Sequence, residues 1–179
     1  MVAIVAGTNT VVTPMPGGGW RIEKVGGADG VYDAAAASAA AIAGDFALRA
    51  VDLSAGNSFL FGVSEAPDGN DGFVEMRFAL WLDGGEAYVF ENGVHIPPRL
   101  PTGGTAWITR IGDVVRYHAG ARPDEAAPMR SVTGAGGALW FDATIRPLGG
   151  TFSARFETPG AWSHGRAGAS GALAIGIGG

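Results

Sequence analysis

The chain has 179 residues, 47% of them hydrophobic and 16% charged, with a formal net charge of −5 at pH 7. These figures fit one globular domain and exclude both a disordered chain and an electrostatic nucleic-acid binder. The absence of cysteine excludes disulfides, thiolate zinc sites and cysteine nucleophiles.

The opening residues, MVAIVAGTNT, lack the basic flank and apolar length of a signal peptide. No uncharged apolar run approaches the roughly 20 residues of a membrane span. The expectation is synthesis in a cytoplasm without membrane insertion. Residues 1–19 are expected as an N-terminal arm. Gly17-Gly18-Gly19 has no Lys-Ser/Thr after it, so it reads as linker and not as a phosphate loop.

Next comes an alanine-rich run from Ala34 to Ala43, preceded by Asp33. Propensity favours a helix with Asp33 as N-cap. The run has no apolar face to anchor one, so we read it as extended, a small-residue edge strand. Beyond it, alternation with a period of two dominates. Phe59, Phe61 and Val63 share one face of NSFLFGVS. In FVEMRFALWL, Val74, Met76, Phe78 and Leu80 oppose Glu75, Arg77, Ala79 and Trp81. In ALWFDATI, Leu139, Phe141, Ala143 and Ile145 oppose Trp140, Asp142 and Thr144, and TFSARF repeats the pattern. Gly84-Gly85, Asn92-Gly93 and Gly112-Asp113 supply two-residue hairpin chemistry between runs. Many short strands without helical periodicity predict an antiparallel sandwich or barrel.

Residues 161–179 read as a Gly/Ala-rich C-terminal arm. In GALAIGIGG, Leu173, Ile175 and Ile177 fall on one side, a strand pattern that is expected to add to a neighbouring subunit or to the domain's own edge. These three residues are the expected oligomer contacts.

Four segments in order, GDFALRAVDL, SFLFGVS, EAYVFENGV and TAWITRIGDVVRYHAG with ALWFDATIRPLGGTFSARF, resemble the concanavalin-A-like jelly roll of the laminin-G and lectin type. The resemblance covers roughly residues 20–157. It implies an all-β, antiparallel two-sheet jelly-roll sandwich, placed here over residues 20–160 between the extended N- and C-terminal arms, with function carried on the loops or the concave sheet. That fold hosts lectins, adhesion modules, glycanases and the surface modules of phage-like particles, so it does not choose among them.

The glycan-cleaving branch of this superfamily carries Glu-x-Asp-x-x-Glu on one strand, and this sequence has no such motif. Glycosidases need two carboxyls at a defined separation; here Glu75 is followed on its face by Arg77. His95, His118 and His164 are scattered, and no Gly-x-Ser-x-Gly elbow accompanies them. The chain is therefore read as non-enzymatic. Asp68, Asn70 and Asp71 are weak calcium candidates, lacking the spacing of an EF-hand loop, and a solvated turn is the preferred reading. No other cofactor is expected.

Saccharide recognition pairs an exposed aromatic face with hydrogen-bonding side chains. Trp81 with Glu75 and Arg77, and Trp140 with Asp142, are the candidates. The expected function is a structural or attachment subunit of a phage-like particle: a spike, fibre or capsid decoration located on the virion. It would form a homo-oligomer, contact other particle subunits and bind host-surface polysaccharide. The alternative is a bacterial glycan-binding adhesion module, reaching the cell surface by a non-classical route.

Overall fold

Alternating apolar residues build two antiparallel sheets of seven strands each in the computed structural model, which describes residues 2–65, 67 and 73–159. The first sheet runs, in spatial order, β1 (Ile4–Ala6), β4 (Ala34–Ser38), β13 (Trp140–Ile145), β6 (Ser58–Ser64), β7 (Met76–Asp83), β8 (Glu86–Glu91) and β9 (Val94–Pro101). The second runs β12 (Arg130–Val132), β11 (Val114–Ala119), β10 (Thr105–Ile111), β5 (Phe46–Asp52), β14 (Thr151–Glu157), β3 (Trp20–Lys24) and β2 (Thr10–Pro14). Among the described residues there is no helix, and hence none long and apolar enough to cross a membrane.

Inward-facing residues of both sheets form one core. Phe59 of β6 stacks on Phe152 of β14, with centroids 4.2 Å apart and planes within 8°, and Phe141 of β13 meets Phe156 of β14 edge-on, so aromatic pairs join the two layers. The three hairpins form as expected: Asp83 pairs with Glu86, Glu91 with Val94, and Ile111 with Val114. Both central residues of the first two turns have positive φ, 58° and 85° at Gly84-Gly85 and 52° and 74° at Asn92-Gly93, the type I′ signature that matches strand twist.

The alanine run is a strand over Ala34–Ser38, but not an edge strand. β1 covers one side and β13 the other, so the backbone is paired on both flanks and this pairing outweighs helix propensity. Asp33 caps no helix; its carboxylate holds Lys24 and accepts the amide of Ala28. The extended N-terminal segment lies on the sandwich itself. β1 borders the first sheet and β2 the second, with the crossing at Gly7–Asn9 tied by Asn9 Nδ2 donating to the Asp33 carbonyl at 2.8 Å. The C-terminal arm, with Leu173, Ile175 and Ile177, lies outside the described residues, as do Asp68, Asn70 and Asp71.

Candidate functional site

The expected face of FVEMRFALWL is broken by a register shift. Val63 opposes Phe78, but the next residue, Ser64, opposes Met76, leaving Arg77 as the extra residue of a bulge. A bulge re-aims the side chains beside it. Met76 consequently joins Leu60, Ala79 and Phe90 in a small outer cluster instead of the inter-sheet core, and Val74 precedes the strand with 69% of its surface exposed.

The bulge also separates the expected glycan residues. Arg77 lies over the Phe78 ring, ion-pairs with Glu65 and donates to the Gly134 carbonyl at 2.6 Å. With Glu75, Glu65 and Asn92 it lines a shallow, charged cleft that does not include Trp81. Trp81 is half-buried on the outer face of β7. Its Nε1 donates to Ser58 Oγ at 2.9 Å, its ring stacks on Tyr88 at 4.8 Å, and Phe90 meets it edge-on. Ser58 Oγ also lies 2.9 Å from the Tyr32 hydroxyl, whose pKa is raised by burial.

Trp140 and Asp142 are brought together as the alternation of β13 requires, on the outer face of the first sheet. They border a cleft of about 580 Å³ on a floor of Ala35 and Ala37, with Val5, Ser38 and Pro67 around it. The alanines make the cleft: any longer side chain on the outer face of β4 would fill it. Asp142 is 4% exposed and accepts from Ser64 Oγ on the neighbouring strand. That hydroxyl orients the carboxylate, and the indole is half-buried. Among the described residues lining this cleft, Asp142 is the one acid. No group of three or more His, Asp or Glu among the described residues is placed to hold a metal ion.

A second cleft, of about 520 Å³, lies on the outer face of the second sheet. Its walls are Arg49, Trp107 and Arg122 with Glu125 and Glu157. Trp107 is 3% exposed, under the guanidinium of Arg49, whose carbon is 5.3 Å from the ring centroid. Beside it, His118 is 2% exposed; burial, helped by Arg116, lowers its pKa to about 4. The alternation of the sequence alone did not single out Arg49. The apposition of Trp107, Arg49 and Arg155 comes from β10, β5 and β14, which are far apart in the chain. Only the outward parity of Arg49 in GDFALRAVDL hinted at it.

The two-sheet arrangement is that of the concanavalin-A-like jelly rolls. The structure is similar to part of the stonustoxin structure, with a TM-score of 0.57 and 11% identity, covering 87% of this chain and 28% of that one. It is similar to the TRIM65 PSpry domain, with a TM-score of 0.55, 11% identity and coverage of 85% and 92%. A third similar structure is the VIP36 exoplasmic/lumenal domain in its Ca²⁺/Man₃GlcNAc-bound form, with a TM-score of 0.55, 8% identity and coverage of 87% and 86%. The chain thus spans little more than a quarter of the stonustoxin chain. No protein-family model and no curated protein sequence matches the chain.

Proposed function

We propose that this chain is a non-enzymatic recognition module that binds a saccharide in the cleft between Trp140, Asp142 and the alanine floor of β4. The observation that carries this is the placement of an indole beside an oriented carboxylate over a floor without side chains to obstruct it. A pyranose offers an apolar ring face to the first and hydroxyl donors to the second. The cleft volume, about 580 Å³, falls within the roughly 300–1,000 Å³ of small-ligand pockets. The VIP36 domain, with Man₃GlcNAc bound, supports saccharide recognition by a sandwich of this kind. A single acid among the described cleft residues favours binding over hydrolysis, which takes two carboxyls.

At a finer level, we assign the module to the surface of a phage-like particle, as an attachment subunit that meets host polysaccharide and oligomerises through Leu173, Ile175 and Ile177. The apolar alternation of those residues supports assembly. Glu75 and Arg77, in their own cleft, and Trp81, held by Ser58 and Tyr88, are assigned to the framework of this face.

Glycan-array screening of the full chain, followed by calorimetry on the best ligand, tests the proposal. Trp140→Ala and Asp142→Asn, each with an unchanged circular dichroism spectrum, are expected to weaken binding at least tenfold. A wild-type chain that retains no glycan, or folded variants that bind as well as wild type, would overturn it.

A further inference from the structure

The second cleft holds a cation, Arg49, that has no carboxylate partner among the described residues. Arg49 makes no ion pair among the described residues, and its Nε is buried without a hydrogen-bond partner. Directly across the strand pair stands a second cation, Arg155, whose acid Glu157 is 3.9 Å away. Like charges side by side on one sheet face destabilise it, and an unpartnered buried donor adds to that cost. Arg122 completes the cationic side, braced by Asp124 at 3.4 Å.

The same cleft also presents Glu125, Glu157 and Thr105, so it is not a plain anion trap. Carboxylates here repel a multiply charged ligand such as an acidic peptide, yet they accept hydrogen bonds from hydroxyls. A ligand with one carboxylate and several hydroxyl donors satisfies both halves of the wall. We propose that this cleft binds a carboxylated sugar, a hexuronate unit of an acidic polysaccharide. Its carboxylate meets the free edge of the Arg49 guanidinium in a charge-assisted pair, and its hydroxyls are directed at Glu157 and Glu125. The site is on the opposite sheet from Trp140 and does not rest on the saccharide reading of that cleft.

Calorimetry of the full chain with a defined oligogalacturonate, and with the same oligosaccharide after reduction of its carboxyls to alcohols, is the test. The acidic ligand is expected to bind at least tenfold more tightly than the reduced one. Arg49→Gln is expected to remove that preference, and Trp140→Ala to leave it intact. Equal binding of the two ligands, or binding of an acidic peptide in place of the uronate, overturns the proposal; both are read on the wild-type chain and so need no variant to fold. Unchanged uronate affinity in a folded Arg49→Gln chain overturns it as well.

Discussion

Lys24 and Asp33 form an ion pair whose cationic half is completely buried. The ammonium also donates to the carbonyls of Ala28 and Val31 at 2.7 Å and of Arg146 at 3.0 Å. One lysine thus closes the loop between β3 and β4 and ties it to the end of β13. Lys24→Met removes the donor from three carbonyls and is expected to destabilise the fold by roughly 3 kcal/mol or more, read as a shift in urea midpoint. The hydrogen bond from Lys24 holds the Asp33 carboxyl below the usual carboxylate range. Its contribution is therefore full above pH about 4 and is lost as pH falls through the lower folded value. Asp33→Asn is expected to remove that acid-side loss.

His118 sets a second pH dependence, at higher pH. Its folded pKa is lowered to about 4, against an unfolded value of about 6.5. The unfolded chain takes up the proton first, so stability is full above about pH 6.5 and declines as pH falls toward 4. Urea titrations at several pH values are expected to show a loss of up to about 3 kcal/mol across this window. His118→Leu is expected to flatten it; parallel profiles for the two proteins would show that His118 does not carry the effect.

Gly62, on β6, faces the backbone of β7 with no room for a side chain. A Cβ there would lie 2.2 Å from the Phe78 carbonyl oxygen and 2.6 Å from Ala79 Cα. Both are backbone atoms that cannot rotate away. Gly62→Ala is expected to cost about 1–3 kcal/mol, measured by thermal or urea unfolding, whereas Gly136→Ala, with open space around it, is the matched control.

Glu91 and Arg130 clamp the two sheets together. Nε and one terminal nitrogen of Arg130, on β12, donate to the two carboxylate oxygens of Glu91, on β8, each at 2.8 Å. Lysine cannot reproduce this fork. Arg130→Lys is therefore expected to lower stability by about 1 kcal/mol or more, with Glu91→Gln showing a comparable loss and the double variant less than their sum.

Removal of residues 171–179 is expected to reduce the mass measured by light scattering from a discrete oligomer to a smaller species. An unchanged mass would rule out Leu173, Ile175 and Ile177 as the oligomer contacts.

Local chemistry was sufficient for the strands and their turns. The alternation in NSFLFGVS, ALWFDATI and TFSARF follows from a side-chain period of two, and glycine or asparagine at the hairpin positions follows from the positive φ there. These are short-range constraints, legible in a few consecutive residues. The order of the segments also carried the resemblance to a concanavalin-A-like sandwich. The site depended on contacts that no short window contains. Asp142 and Trp140 border a cleft because Ala37, about a hundred residues earlier, pairs with Asp142, and Ala35 on the same strand pairs with Thr144. Trp81 and Arg77, four residues apart, are separated by a bulge that arises from pairing with β6. Arg49 lies over Trp107 and against Arg155 through two different strand pairings. The alanine run shows the same division: its propensity pointed to a helix, and two flanking strands made it part of a sheet, because backbone pairing on both sides outweighs a few tenths of a kcal/mol per residue of helix preference.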